Sequence, residues 1–524
     1  MKSTLYLPAA IVALVLFLTA CSTGEPEDPA GKESANEGPS AETKAAGGAS
    51  EPPSAAEPGR RASLVPISHL TSPRENVTTG ELSQDPELAV PEEYQELAGE
   101  LLGRPDFEDF GSISAVTDYV SRTPEATGLV PWDEVTPRVK ALAADGVPLL
   151  DPRAPDPEGY PLGSGATTVP DPEELRKVVV GGDIVLDRGQ PFAVFEEGRG
   201  IDFPLDGGYA AITGRALVPN PYDDSSLVYQ FEAERLGEGG EVKEYLRSAD
   251  LTLANFENPV LEDAIYHPDA PTFNGDLRLL PILNQAGIDG VTLGNNHILD
   301  AGAPGLEETL GHLDDAGISY TGAGADLDAS REPMIFDLAG LKVGVLSYQG
   351  VPSYEWAWAT EDSPGTAPLL EDVMVEDVRR LRAEVDLIVV MPHWGMEYTA
   401  EPEPEQVELA HAVMDAGADL VVGDHAHWPK GIEMYEGSPI FYGTGNFLFD
   451  QSWSEETSTG IFADIVLYED RILQARPVPF IVLDRSQPNL LVREPPSDRA
   501  LNTIFSASPG PEFEAYERPP EDSE

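Results

Sequence analysis

Five short apolar runs, each followed directly by a polar cluster, constrain the fold of this chain more than any other feature of its sequence. Segments with helical spacing separate most of these runs, among them a helix predicted from Pro404 to Ala416 that ends at Gly417. Short, continuously apolar runs between helices are typical of strands that are covered on both faces, and they indicate a largely parallel α/β layer structure. The five polar clusters are Gly182-Asp183, Asn255-Phe256-Glu257, Gly294-Asn295-Asn296-His297, Pro392-His393-Trp394-Gly395 and Gly423-Asp424-His425-Ala426-His427.

The clusters carry side chains that bind metal ions. In open α/β sheets, ligands bind in the crevice outside the carboxyl ends of the strands, where each cluster stands. Mixed oxygen and nitrogen donors suit Zn, Mn or Fe better than Ca or Mg alone. Six candidate donors are too many for one tetrahedral ion, and they suit two ions with positions open for water. The six are Asp183, Glu257, Asn296, His393, His425 and His427.

A site with two divalent ions favours phosphoryl-transfer chemistry. Two ions roughly 3.5–4 Å apart can activate water and clamp both the attacking and the leaving oxygen. His297 stands beside the candidate ligands and is not needed as one of them. We therefore expect His297 either to protonate the leaving oxygen as a general acid or to stabilise its charge.

Five ordered blocks between about residues 175 and 470 resemble the capsule-synthesis protein CapA family. That family is similar to the calcineurin-like metallophosphoesterases, which fold as a four-layer α/β/β/α sandwich with a dinuclear metal site. The resemblance implies that fold here, together with a link to poly-γ-glutamate or other surface-polymer synthesis. The blocks are Val179–Leu186, Ala254–Pro259, Gly294–Asp300, His393–Tyr398 and Gly423–His427 with Phe441–Phe447.

The resemblance also implies roles for single residues. Glu257 stands where phosphoesterases place the carboxylate that bridges the two metals, and Asp183 stands at a ligand position. Asn296, His393 and His425 are implied to serve one metal and His427 the other, with His297 as the acid.

One position departs from the phosphoesterase pattern. Those enzymes have Asp-x-His in the first block, whereas the third residue here is Val185, so the metal served by His427 loses one imidazole. Either another residue, such as Glu397, fills the gap, or that metal binds weakly. Asn255, Glu397 and Asn446 are further candidates to brace the ligands or contact the substrate.

The first residues resemble a lipoprotein signal. Residues 1–20 combine Lys2 with an apolar segment that is too short to be a convincing membrane span. Leu18-Thr19-Ala20-Cys21 resembles a lipobox, which predicts an acylated Cys21 and an extracytoplasmic, membrane-anchored lipoprotein of the bacterial envelope. The alternative is an ordinary signal peptide with an incidental cysteine.

Composition divides the rest of the chain. We expect residues 21–82, rich in Pro, Glu, Ala and Ser, to form a disordered tether. Residues 83–165 are predicted to form a small module, with a helix near 94–102 and another after Trp132. The CapA-like domain is expected over residues 174–480, followed by a partly disordered extension over 481–524.

The net charge of −61 limits the kinds of partner that this chain is expected to bind. A chain without a basic patch is not expected to bind nucleic acid, and membrane attachment must depend on acyl chains. The favoured interpretation is a metal-dependent phosphoester hydrolase associated with surface-polymer synthesis machinery. The alternatives are a non-catalytic, metal-stabilised accessory subunit and an amide or peptide hydrolase that uses the same metals.

Overall fold

A computed structural model describes residues 61–154, 159–165, 167–220, 223–264, 272–492, 499–514 and 516. The predicted signal peptide, Cys21 and the first part of the predicted tether lie outside these residues. Among the helices of the described ranges, none has the length and apolar character needed to cross a membrane.

Residues 61–168 form a small module in front of the main domain. The helices are α1 (Thr79–Gln84), α2 (Gln95–Leu102) and α3 (Ile113–Ser121). The strands are β1 (Arg61–Ala62), β2 (Leu64–His69), β3 (Asn76–Val77), β4 (Ala89–Val90), β5 (Glu108–Asp109), β6 (Thr127–Pro131), β7 (Val139–Ala141), β8 (Ala143–Ala144) and β9 (Thr167–Thr168). Five of these strands form one sheet in the order β5-β4-β6-β2-β7.

The main domain contains the remaining strands of the described chain. They are β10 (Leu175–Ile184), β11 (Tyr209–Asn220), β12 (Asp223–Leu236), β13 (Leu251–Phe256), β14 (Val260–Leu261), β15 (Gly275–Asp276), β16 (Gly290–Thr292), β17 (Ser319–Thr321), β18 (Ala323–Gly324), β19 (Met334–Leu338), β20 (Leu341–Gln349), β21 (Gly365–Thr366), β22 (Leu387–His393), β23 (Leu420–Val422), β24 (Ile432–Tyr435), β25 (Ser438–Phe441), β26 (Asn446–Leu448), β27 (Thr459–Tyr468), β28 (Arg471–Leu483) and β29 (Gln487–Leu491).

The helices of the main domain lie mostly between these strands. They are α4 (Gly189–Pro191), α5 (Glu241–Leu246), α6 (Pro281–Ala286), α7 (Gly302–Ala316), α8 (Leu327–Ser330), α9 (Glu371–Leu381), α10 (Pro404–Ala416), α11 (Glu455–Ser458) and α12 (Arg499–Ala507).

Two mixed sheets carry the main domain. The larger has ten strands, in the order β12-β11-β29-β28-β27-β10-β13-β16-β17 with β26 paired to β10. The smaller has six, in the order β19-β20-β22-β23-β25-β24. Each has a parallel centre, β10-β13-β16-β17 in one and β20-β22-β23-β25 in the other. The antiparallel strands β27, β28 and β29 widen the larger sheet.

The buried side chains show four layers. Val178 and Val180 of β10 share one apolar cluster with Val345 and Val389 of the smaller sheet, so the two sheets pack face to face. Val179, on the opposite face of β10, belongs to a cluster with α6 and α7. A third cluster joins the outer face of the smaller sheet to α9 and α10. The predicted α/β/β/α sandwich is therefore confirmed.

The helix α10 shows how local sequence sets an element that leads to the site. Glu403 caps its start in a reciprocal pair of hydrogen bonds with Gln406, and Pro404 takes the first helical position. Gly417 ends it with a φ of 116°, a left-handed conformation that favours glycine. Both ends agree with the sequence-based prediction.

The folded part of the chain begins earlier than predicted. Residues 61–82 were expected to belong to the tether, but they contain β1, β2, β3 and part of α1. The side chains of β2 are all buried, because the strand lies between β6 and β7. Its last residue, His69, also contacts the backbone carbonyl of Glu512 at 3.1 Å. These partners are distant in sequence, so composition alone did not reveal them.

Two further expectations differ from the structure. A second helix was predicted after Trp132, but only a short 3₁₀ turn follows, and Val139–Ala141 is the strand β7. The main domain was expected to end at residue 480, but β28 continues to Leu483, β29 lies inside the larger sheet, and α12 packs near the smaller one. Residues 493–498, 515 and 517–524 of the predicted extension lie outside the described residues.

Candidate metal centre

The registers of the two sheets bring the predicted clusters to one edge. Asp183 on β10 lies opposite Asn255 on β13, and Asn255 lies opposite Thr292 on β16. In the smaller sheet, His393 at the end of β22 lies opposite Asp424, just beyond β23. Because these strands run parallel, their carboxyl ends meet, and the polar side chains that follow them converge.

One group of ligand atoms comes from Glu257, His393 and His425, whose nearest atoms all lie within 4.8 Å of one another. Nδ1 of His425 is 3.1 Å from Nε2 of His393, and Oδ1 of Asn296 is 2.8 Å from that same nitrogen. Burial lowers the pKa of His393 to about 3 and lowers the pKa of His425 well below its usual value. Both rings are therefore neutral near pH 7, the form that binds a metal.

A second group comes from Asp183, Glu257 and His427, again within 4.8 Å of one another. Nδ1 of His427 is 3.2 Å from Oδ2 of Asp183. Burial alone would raise the pKa of Asp183, but the hydrogen bond and charge of His427 hold it below its ordinary value. The two groups share Glu257 and divide the two histidines of the last cluster between them.

Glu257 is a buried carboxylate whose charge would be stabilised by a cation. Its side chain is fully buried, and neither carboxylate oxygen has a hydrogen-bond partner. Burial and the nearby charge of Asp183 raise its pKa well above the ordinary range. A buried carboxylate without partners is costly, and a positive ion shared by both groups would satisfy it. The residues present therefore fit divalent metal binding.

The loop that carries the two histidines has an unusual backbone. His425 has a φ of 88° and His427 a φ of 57°, values that favour glycine. Glycine has no imidazole, so the chain keeps histidine in a strained conformation at both positions. Such strain is commonly found where a side chain is needed at a site.

Asn255 braces the first ligands from behind. Its Nδ2 donates to Oδ1 of Asp183 at 2.8 Å and lies 3.2 Å from Nδ1 of His393. Its Oδ1 accepts hydrogen bonds from Thr292 and Asn295. These bonds set the orientation of the amide, so Asn255 aligns Asp183 with His393.

The half of the centre served by His427 adjoins apolar side chains, because the ring of Phe449 lies 5.2 Å from that of His427. Val185 is buried in a small apolar cluster with Phe273 and Phe449. Glu397, the residue suggested to fill the gap, has a partly exposed carboxylate 3.9 Å from Nε2 of His427. Asn446 comes closer, with Oδ1 3.0 Å from Nδ1 of His427. Its Nδ2 donates to the carbonyl of Thr457, which turns the oxygen toward His427.

His297 lies beside the two groups and faces the same cavity as Asn296 and His425. Its Nδ1 is 2.8 Å from Oδ2 of Asp300, an oxygen that also accepts the backbone N–H of Phe273. A carboxylate can only accept, so Nδ1 donates to Asp300 and Nε2 remains for the substrate. This arrangement suits proton transfer to a leaving oxygen.

The cavity in front of the centre has a volume of about 950 Å³. Six aromatic side chains form part of its wall, those of Tyr229, Phe273, Tyr354, Tyr398, Trp428 and Trp453. Tyr229 comes from β12, so the long β11–β12 hairpin forms one side of the cavity.

Two residues of the site were not singled out by the sequence. Asp300, which orients His297, follows it by three residues, and that spacing was the available signal. Arg188 lines the cavity and follows Asp183 by five residues. The only feature of the sequence that could have drawn attention to Arg188 is the small number of basic residues in the chain.

The chain resembles proteins of capsule synthesis in sequence. It is 32% identical over 228 residues to the "Capsule biosynthesis protein CapA" of Bacillus anthracis, which covers 42% of this chain and 55% of that protein. It is 31% identical over 299 residues to a "Probable polyglutamine synthesis accessory protein" of Mycobacterium tuberculosis, which covers 52% of this chain and 74% of the other. The chain thus spans little more than half the length of the Bacillus relative.

Among solved structures, the NAD nucleotidase of Haemophilus influenzae is similar with a TM-score of 0.36, 12% identity and coverage of 64% of each chain. The family model described as "Bacterial capsule synthesis protein PGA_cap" matches residues 177–451, a range that includes all six predicted metal ligands. Because this match covers more than half of the chain, the protein belongs to the bacterial capsule synthesis family PGA_cap.

Proposed function

We propose that this protein is a metal-dependent hydrolase of phosphoester bonds that acts in the synthesis of a surface polymer such as polyglutamate. The observation that carries the proposal is the position of Glu257 in both ligand groups. A buried carboxylate common to two groups suits a pair of ions that act on one substrate. The other ligands are those of the two groups, together with Asn296.

The two ions would supply charge stabilisation and activation of water, the usual contribution of a pair of divalent metals in phosphoryl transfer. The protein's own residues supply the proton for the leaving oxygen and the surface that contacts the substrate. His297 holds a proton on Nε2 for the leaving oxygen, and Asp300 stabilises the charged ring through Nδ1. The aromatic wall excludes water from part of the cavity and leaves a surface on which a substrate chain can pack.

The link to a polymer comes from the relatives. One is described as a capsule biosynthesis protein and another as a probable polyglutamine synthesis accessory protein. The same family membership supports association with a polymer-synthesis machinery. We also propose that acylation of Cys21 anchors the protein to the membrane outside the cytoplasm.

The location is tested by Cys21→Ala. The wild-type protein should sediment with membranes and carry lipid, whereas the variant should appear in the soluble extracytoplasmic fraction. Equal sedimentation of both proteins, with no lipid on either, would remove the anchor from the proposal.

A second candidate is a non-catalytic accessory subunit that binds metal for stability. Val185 favours it, because the apolar cluster with Phe273 and Phe449 occupies the side where an imidazole would complete one half of the centre. A protein of this kind would bind metal in the group of His393 and His425 and would not turn over substrate.

Metal analysis and turnover measurements distinguish the hydrolase from the non-catalytic accessory subunit. The purified full chain should contain two ions and hydrolyse bis(p-nitrophenyl) phosphate, and Asn296→Ala and His425→Ala should each abolish turnover without unfolding the protein. His312→Ala is the matched control, since its ring lies 3.4 Å from Glu308 on the same helix and does not line the cavity. Bound metal with no turnover toward phosphoesters would favour the accessory role, and cleavage of γ-glutamyl peptides instead would favour the amidase.

A further inference from the structure

Arg188 is the only Lys or Arg among the described residues that line the cavity. Its side chain is nine-tenths buried, with a relative exposure of 9% for the residue. The acidic residues on the same wall are Glu397 and Glu456, and the whole chain carries a net charge of −61. A single buried guanidinium in such surroundings needs a reason.

The guanidinium of Arg188 is held in one place by its neighbours. Nη2 donates to Oδ1 of Asp450 at 2.5 Å, while Oδ2 of Asp450 accepts the backbone N–H of Gly189 at 3.1 Å. The rings of Phe273 and Phe449 lie 5.0 and 5.1 Å from the guanidinium carbon. Packing against aromatic rings and a bidentate role for Asp450 orient the group before any ligand arrives.

One donor of this oriented group has no acceptor. Nε of Arg188 is buried and makes no hydrogen bond. The backbone of Arg188 also has a φ of 51° and a ψ of −105°, a strained combination for a residue with a side chain. An unpaired buried donor of positive charge is costly, and an oxyanion held where Arg188 lines the cavity would offset that cost.

Arg188 lies one aromatic ring away from the metal centre. Phe273, which packs on the guanidinium, has its ring centroid 4.4 Å from that of His297. Phe449, which packs on it as well, lies 5.2 Å from the ring of His427. A ligand held by Arg188 would therefore stand next to the reacting group without competing for the ions.

We propose that Arg188 binds a second oxyanion of the substrate, a carboxylate or a phosphate that is separate from the group held at the metal centre. The substrate is then a molecule with two anionic groups, and Arg188 selects for the one that does not react. This inference rests on the proposed function only for the identity of the reacting group. Its readout is binding, which does not depend on turnover.

The test compares ligands with one and two anionic groups on the metal-loaded full chain by titration calorimetry. Inorganic phosphate is the one-group reference. 3-Phosphoglycerate adds a carboxylate and 1,3-propanediol bisphosphate adds a phosphate, so the two arms separate the sources of the oxyanion. Arg188→Met and Arg188→Lys are the variants, the second of which keeps the positive charge opposite Asp450 but lacks Nε.

A matched control is Arg199→Met. Arg199 also pairs with a carboxylate, Asp484, and also packs on an aromatic ring, Phe203, but it does not line the cavity. Its loss should leave the affinity of every ligand unchanged.

Loss of one charge-assisted hydrogen-bonding group should weaken binding by about 10- to 100-fold. We expect that loss in Arg188→Met for at least one of the two-group ligands, a smaller loss in Arg188→Lys, and a change of less than about twofold for phosphate. Equal losses for all three ligands, or no loss in either variant, would overturn the assignment. If the protein shows no turnover but Arg188→Met still weakens the binding of a two-group ligand, only the proposed hydrolase activity is contradicted.

Discussion

Nδ1 of His425 lies 3.1 Å from Nε2 of His393, although the two histidines come from the ends of different strands. Burial depresses the pKa of both rings, so both are neutral near pH 7 and each has a nitrogen that can bind a metal. Oδ1 of Asn296 adds an oxygen 2.8 Å from the same nitrogen of His393. Donors that converge in this way within a buried site are arranged for a cation.

The two ligand groups predict two separable losses of metal. His393→Ala removes a donor from one group and His427→Ala a donor from the other, while Glu257 stays in both. Each variant should therefore retain about one ion per chain, measured by mass spectrometry after dialysis. His411→Ala is the control, because its ring pairs with Glu433 outside the cavity. Loss of both ions in both variants would show that the groups do not bind independently.

Glu257→Gln should have opposite effects with and without metal. Without metal, the wild type must bury a carboxyl group whose ionised form has no partner, whereas glutamine is neutral and has nearly the same shape. The metal-free variant should therefore melt at a higher temperature than the metal-free wild type.

With metal the order should reverse, since a ligand at 1,000 times its Kd adds about 4 kcal/mol to the protein that binds it. Thermal unfolding in the presence and absence of a chelator measures both states. Glu307→Gln is the control, because Glu307 is exposed on α7 and does not line the cavity, so its loss should shift neither state much. The same order of melting temperatures in both states would contradict the role of Glu257.

His297→Ala should lower turnover in a way that depends on the leaving group. A general acid contributes about 10²- to 10⁴-fold, and it matters most when the leaving oxygen is strongly basic. We expect a large loss on an alkyl phosphodiester, a small one on a p-nitrophenyl ester, and unchanged metal content. Asp300→Asn should show the same trend more weakly, because it perturbs the ring only through Nδ1. Equal losses on both substrates would assign His297 to binding.

Asp464 should make stability depend on pH below the neutral range. Burial alone would raise its pKa, but the charges of Arg476 and Lys177 hold it at about 2, against an ordinary value of 3.8. A lowered pKa stabilises the folded state above the unfolded value, and that contribution is lost as the pH falls through 3.8 toward 2.

The contribution at neutral pH is about 2 kcal/mol, and it adds to the cost of leaving the buried Lys177 without its carboxylate, whereas Arg476 keeps its pair with Glu75. Asp464→Asn should therefore be clearly less stable at pH 7, with a smaller deficit at acid pH, in urea unfolding at a series of pH values. Asp470→Asn, at an exposed position in the same hairpin, is the control. A deficit that does not shrink on acidification would contradict the lowered pKa.

The sequence predicted the elements whose signals are local. The helix α10 has its cap, its proline and its terminal glycine within the segment itself, and the strands before the clusters are continuous apolar runs. The convergence of the six ligand candidates followed from the same runs, because parallel strands end at a common edge.

The parts that the sequence did not predict depend on distant partners. The strand β2 lies in a segment of tether-like composition and is buried by β6 and β7, more than 55 residues later. The strand β29 is inserted between β11 and β28. Arg188 also depends on distant partners, since its position is set by Asp450 and by two phenylalanines from separate parts of the chain.

Anomalous diffraction from crystals of the metal-loaded protein would show directly whether two ions share Glu257. We expect two anomalous peaks per chain, one beside His393 and His425 and one beside Asp183 and His427, each in contact with a carboxylate oxygen of Glu257. A single peak, or two peaks of which one does not contact Glu257, would contradict that expectation.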